Sequence, residues 1–116
     1  MAVHGLAGRA DVVTRAFDHN GHRVVVLHGP LDRFTEDAVR EALAPGRGLP
    51  LVVDLSDVGR LGIDVVAVFL GARARVGLVL AGPFARGVVR TLETSGTEDF
   101  FVKYGTLRDA LRAVDA

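Results

Sequence analysis

The sequence predicts a single α/β domain with a mixed central sheet of about five strands flanked by four helices. Three observations carry this expectation. An Asn20-Gly21 pair separates two β-branched runs, LPLVVDL forms a short continuous apolar run, and the segments between the later strands place apolar residues at helical spacing. With 116 residues, 49% of them hydrophobic, the chain has material for one core and not two.

Taken in order, the first ten residues, MAVHGLAGRA, read as a flexible tail, and residues 11–116 as the domain. The tail lacks the charged start and continuous apolar centre of a signal peptide. DVVTRAF and RVVVLHG flank the turn DHNGH and predict an antiparallel hairpin. In PLDRFTEDAVREALA, Phe34, Ala38, Val39, Ala42 and Leu43 mark the inner face of a helix. Thr35 is its expected cap, Glu36 and Asp37 lie in its first turn, and PGRG is its stop. LPLVVDL is too short and too β-branched for a helix and reads as a strand buried on both faces.

DVVAVFLGARA suits a strand equally well by propensity. Connectivity decides for a helix, because VGLVLAG is another buried strand and a parallel pair needs a crossover. That helix places Val65, Val68, Phe69 and Ala72 on one face and Val66 and Leu70 on another, so it is deeply buried or carries a contact surface. PFARGVVRTLETSG predicts a helix with Pro83 near its start, Phe84, Val88, Val89 and Leu92 inward, and Gly96 as its stop. DFFVKYG is the last strand. TLRDALRAV is a closing helix, capped by Thr106, with Leu107, Ala110, Leu111 and Val114 inward.

Composition removes several function classes. Fourteen basic residues balance fourteen acidic ones, and the acids are interspersed, which leaves no electrostatic footprint for nucleic acid. There is no cysteine, hence no disulfide, thiolate metal site or thiol nucleophile, in keeping with a cytoplasmic protein. No apolar run reaches the length of a membrane span, so direct membrane insertion is not expected. His4, His19, His22 and His28 lack the spacing of a metal site. Ser56 and Ser95 lack the context of a nucleophile, and Gly59, Gly62, Gly82 and Gly87 do not form a phosphate loop. No catalysis, metal or cofactor is therefore expected. Asp32, Asp54, Asp57 and Asp64 fall near expected strand ends, where open α/β sheets build their sites. Each also suits a turn or a cap.

From Val12 to Val114 the chain resembles the STAS domain of bacterial anti-sigma-factor antagonists. The likeness rests on Gly29-Pro30-Leu31-Asp32, on Thr35 with Val39, Arg40 and Leu43 in step, and on Asp54-Leu55-Ser56-Asp57-Val58. Near the end it rests on Leu92, Ser95-Gly96, Phe101, Val102, Tyr104, Leu107, Ala110 and Leu111. The resemblance implies a non-catalytic interaction module of transcription regulation whose partner is an anti-sigma factor or kinase-like regulatory protein. It implies a partner surface at Asp32, Arg33, Thr35, Ser56, Asp57, Gly62, Ile63, Asp64 and Val65. Other readings are a STAS subunit of a transporter-associated assembly and a small nucleotide-binding regulator using the strand-end acids.

The same alignment sets the family's Asp-Ser-Ser-Gly switch motif on Gly62, Ile63, Asp64 and Val65, and all four positions differ. In the family the first serine is phosphorylated by the partner kinase, which weakens the complex. Ile63 holds that position and has no hydroxyl, so no phosphorylation is expected there. A second departure is a shortening between Gly71 and Val76, which implies a truncated helix. Asp64 has three readings: an N-cap, a fixed negative charge imitating a phosphoserine at a helix N-terminus, or a contact to a basic partner group with Ile63 and Val66 beside it.

Overall fold

Asn20 and Gly21 both take positive φ, +50° and +80°, the geometry a two-residue type I′ turn demands. They join β1 (Val13–His19) to β2 (His22–Leu31) as an antiparallel pair. The computed structural model describes residues 11–44 and 48–116. The expected tail with His4, and residues 45–47 of the expected helix stop, lie outside the described residues.

β2 runs on into the turn that precedes α1 (Glu36–Ala42), after which come β3 (Leu51–Leu61), α2 (Ile63–Val76), β4 (Leu78–Ala81), α3 (Arg86–Thr94), β5 (Val102–Tyr104) and α4 (Leu107–Asp115). The five strands stand in the order β1-β2-β3-β4-β5, and every pair after the hairpin is parallel. The expected mixed sheet with four helices is the observed architecture.

Strand alternation sorts the core into two layers. Val25, Leu27, Val53, Leu55 and Leu80 point to one face, where Val39 and Leu43 near α1, Val65, Val68, Phe69 and Ala72 of α2, and Val88 and Leu92 of α3 cover them. Val24, Val52 and Ala81 point to the other, where Ala110 of α4 is buried and Leu107, Leu111 and Val114 pack around it. Phe69 meets Phe101 edge to face with centroids 6.4 Å apart, joining α2 to the approach of β5.

The structure corrects several expectations. The expected strand LPLVVDL does not stop at Leu55: β3 continues to Leu61 because its partner β2 also continues, pairing Asp57 with His28 and Leu61 with Leu31. β4 stops at Ala81, opposite Asp54, so β2 and β3 project beyond the rest of the sheet as a two-stranded ribbon. The start of α3 packs against that ribbon so closely that a Cβ at Gly87 would lie 2.9 Å from the Gly59 carbonyl oxygen.

Phe34 is not on the inner face of α1; it precedes the helix and is 79% exposed. Pro83 lies ahead of α3, following a cis Gly82-Pro83 bond, and Ala85 takes the N-cap position. Val89 is exposed, whereas Val88 and Leu92 are buried. Glu98–Phe100 form a 3-10 turn, so the last strand is shorter than DFFVKYG. α2 runs unbroken through the segment from Gly71 to Val76, and a single Gly77 at φ +89° connects it to β4. Val66 is as buried as Val65, which settles the two-faced pattern of α2 as deep burial.

Other expectations hold. Gly96 ends α3 at φ +70°, with Thr97 N–H donating to the Leu92 carbonyl and Gly96 N–H to that of Glu93, a Schellman closure. The Thr106 hydroxyl caps α4 by accepting from the Asp109 N–H at 3.1 Å. On α1, Arg40 bonds Glu36 and Asp37, and the Glu36 hydrogen bond, with both carboxylates nearby, holds its guanidinium pKa above the ordinary value.

Candidate functional site

The parallel pairing of Leu31 with Leu61 delivers two chain segments to the same place, the carboxyl end of the projecting ribbon. One is the turn Asp32–Thr35. Its Asp32 carboxylate accepts from the Phe34 N–H at 2.9 Å, and the Thr35 hydroxyl accepts from the Asp32 N–H at 2.9 Å. These are turn-forming side-chain bonds, so the Thr35 hydroxyl faces back toward β2 and makes no cap bond to α1. The other segment is Gly62–Asp64, the opening of α2.

Gly62 joins the two. Its N–H donates to the Leu31 carbonyl at 2.6 Å, and a Cβ there would meet the Asp32 Cα at 3.3 Å and the Leu31 oxygen at 3.4 Å. A glycine lets the turn and the helix start approach this closely. Gly62 is itself the N-cap residue of α2, with no side-chain cap bond. Asp64 is the second helical residue, so the reading of it as N-cap is overturned. It is exposed, in the first turn, where the helix dipole favours a negative charge.

The rim so formed exposes apolar surface between charges. Phe34 is 79% and Ile63 57% exposed, the two most exposed large apolar side chains among the described residues. The Arg33 guanidinium lies 4.8 Å from the centroid of the Phe34 ring, a cation–π arrangement. Asp32 and Asp64 supply the acids.

Not all of the expected partner residues join this rim. Asp32, Arg33, Thr35, Gly62, Ile63 and Asp64 do. Val65 is fully buried and packs into the core, so it presents nothing to a partner, and Val66 is excluded for the same reason. Ser56 and Asp57 are exposed but lie upstream on β3, with Asp57 four residues before Leu61, roughly 13 Å along an extended strand. Asp54 is buried mid-strand, its carboxylate accepting from the Ser56 N–H at 2.7 Å, and serves the local backbone. The set of acids read as lying at strand ends is thus split.

Phe34 is the rim residue that sequence reasoning missed. The signal was present in Asp32-x-x-Thr35, an Asx-type turn that keeps Phe34 outside the helix. Among the described residues no group of three His, Asp or Glu side chains is placed to hold a metal ion, and no helix is long and apolar enough to cross a membrane.

With this geometry in hand, the chain can be set beside known proteins. No family model matches it. It is 32% identical to the anti-sigma-F factor antagonist RsfB of Mycobacterium tuberculosis over 84% of this chain and 84% of that protein. An anti-sigma factor antagonist from Mycobacterium paratuberculosis superposes with a TM-score of 0.79 at 28% identity, covering 93% of this chain and 99% of that one. A sulfate transporter family protein from Wolinella succinogenes shares the fold at 13% identity and a TM-score of 0.69, over 82% of this chain and 85% of that one.

Proposed function

The chain belongs to the anti-sigma factor antagonist family, and from that premise we propose that it is a non-catalytic cytoplasmic docking module whose partner is an anti-sigma factor or kinase-like regulator. The docking surface is the rim of Asp32–Thr35 and Gly62–Asp64. The observation that carries this reading is the exposure of Phe34 and Ile63 on two segments that Gly62 ties together. An interface core needs desolvated apolar side chains edged by polar ones, and this rim supplies both.

The complex is not switched by phosphorylation at position 63, because isoleucine offers no oxygen to a phosphoryl group. The other hydroxyls nearby or in the family pattern are occupied or distant. Thr35 is engaged within its turn, Ser95 bonds Thr97 at 2.7 Å, and Ser56 sits upstream on β3. Phosphopeptide mapping after incubation with an anti-sigma kinase of the same genome will find residues 59–65 unmodified. A phosphate at Thr35, Ser56 or Ser95 would show that regulation has moved.

Titration calorimetry against that regulator tests the surface. Ile63→Arg and Phe34→Ala each weaken binding by about 2 kcal/mol or more if they are central anchors. Unchanged affinity for both removes the rim from the interface. Asp64→Asn then reads the role of the charge. A basic partner group in contact makes binding weaker by about 1.5–3 kcal/mol, whereas a phosphate-imitating charge makes it tighter. The transporter-associated alternative has a likeness of fold alone behind it, at 13% identity.

A further inference from the structure

We propose that Asn20 is a site of spontaneous covalent modification, deamidation through a cyclic imide, and that the change releases the carboxyl end of α4. The site lies at the turn of the β1–β2 hairpin, and its case stands on observations independent of the rim. The chain has one asparagine and no glutamine, so Asn20 carries its only side-chain amide. Gly21 follows it, and both residues are exposed. Without a Cβ, Gly21 leaves its backbone nitrogen open to the Asn20 side chain, and among the described residues its N–H has no hydrogen-bond partner. His22 acts on the same peptide group. Its Nδ1 lies 3.1 Å from the Asn20 carbonyl oxygen, which can only accept, so Nδ1 carries the proton in this contact. A donor on that oxygen stabilises the charge that forms when the Gly21 nitrogen gives up its proton, and the deprotonated nitrogen is the nucleophile.

The step balances with water as the only co-reactant. The Gly21 nitrogen bonds to the Asn20 Cγ, the Cγ–Nδ2 bond breaks, and Nδ2 leaves as ammonia, its third hydrogen matching the one that Gly21 gave up. Water then adds to one of the two imide carbonyls and breaks its bond to nitrogen, which regains a proton. Opening at Cγ yields aspartate, and opening at the backbone carbonyl yields isoaspartate.

The consequence follows from what the amide holds. Asn20 Nδ2 donates to the Val114 carbonyl at 3.3 Å and to the Asp115 carboxylate at 3.2 Å, tying the hairpin to the last turn of α4. Deamidation removes that donor and sets a carboxylate against two acceptors, one of them charged. The His19 ring, 2.9 Å from Asp115, is the donor that remains in the contact. α4 fully buries Ala110 alone, so its end is lightly held once the amide is lost. Isoaspartate also adds a methylene to the backbone of a two-residue turn, which disturbs the pairing of His19 opposite His22.

Intact-mass spectrometry of the full chain, held for days in warm, mildly alkaline buffer, tests the chemistry. Losing ammonia and gaining water makes the protein about one dalton heavier, and no other side chain can undergo that exchange. Trypsin, cutting after Arg15 and Arg23, isolates residues 16–23, in which the aspartate and isoaspartate products separate by chromatography. The unaltered chain is expected to gain the mass, N20Q to keep its own because the larger ring closes far more slowly, and H22A to gain it severalfold more slowly. A chain of constant mass, under conditions where the free 16–23 peptide converts, would overturn the site, and an unchanged rate in H22A would overturn the part given to His22. N20D reads the consequence, and its Asp-Gly pair is one that the turn accepts. Backbone amide exchange is expected to quicken about fivefold across 112–116 and to stay as it was across 63–76. Unchanged exchange at 112–116 would overturn the release of α4. Neither readout involves the rim, so failure here and failure of the docking surface are read separately.

Discussion

α4 and α2 begin in opposite ways. At α4 the Thr106 hydroxyl accepts from the Asp109 N–H, the ordinary solution to a helix start that has only to be stable. At α2 the cap position is Gly62, with no side-chain bond, and the hydroxyl expected at α1 is turned away into the Asp32–Thr35 turn. A Cβ at Gly62 would meet the Asp32 Cα at 3.3 Å, so the turn would have to give by a few tenths of an ångström to admit a side chain. The difference teaches that the start of α2 is shaped by close approach between segments and that its stability comes from elsewhere. That source is burial: Val65, Val66, Val68, Phe69 and Ala72 are all inside, whereas α4 fully buries Ala110 alone.

The strongest way to break this contrast is through the cores. Phe69→Ala is expected to cost about 3–5 kcal/mol in urea denaturation, since it empties a fully buried site that also holds Phe101. Leu111→Ala on α4, half-buried, is expected to cost less than about 2 kcal/mol. Equal losses would mean that α4 contributes as much as α2 and that the contrast is wrong.

Gly62→Val tests close approach. Forcing branched carbon against the Asp32 backbone is expected to cost about 1–3 kcal/mol, and to weaken partner binding beyond what the stability loss explains. A variant with full stability and full affinity would show that the two segments tolerate separation.

The caps give smaller and opposite expectations. Thr106→Ala is expected to cost about 1 kcal/mol, because a real cap bond is lost. Asp64→Asn removes no cap bond and only its favourable place at the helix dipole, about 0.3–1 kcal/mol, seen as a thermal shift at low salt that fades at high salt. A loss of about 1 kcal/mol for Asp64→Ala with none for Asp64→Asn would restore it as a cap, since asparagine keeps a capping acceptor.

The smallest effect concerns the outer fastening of α4. Asp115 accepts from the Asn20 side chain at 3.2 Å and lies 2.9 Å from the His19 ring. The contact is half-exposed, so Asp115→Asn is expected to change stability by less than about 1 kcal/mol. Hydrogen exchange confined to the last turn of α4 would sharpen the picture of that helix as the more lightly held one.

Local chemistry made much of this molecule legible in the sequence. The Asn20-Gly21 turn, the Thr106 cap and the Gly96 stop are set by a few neighbouring residues, and their meaning does not depend on distant partners. The alternation of buried strands and crossover helices was legible too, because parallel pairing constrains connectivity, and so was the absence of a hydroxyl at Ile63. Other features belong to the tertiary structure. The length of β3 depends on β2 continuing beside it, since residues 56–61 carry no strand signal strong enough alone. Pairing moved Asp54 and Asp57 from a strand end into a strand interior. Burial of Val65 and Val66 depends on which faces of α2 meet the sheet and its neighbours, and exposure of Phe34 depends on a turn closing before the helix begins. The close approach of α3 to the ribbon needed a packing contact between residues far apart in the chain, with the bare Gly87 at its centre. Local conformational preference is written in adjacent residues, whereas register, burial and close approach are settled only when separate segments compete for the same space.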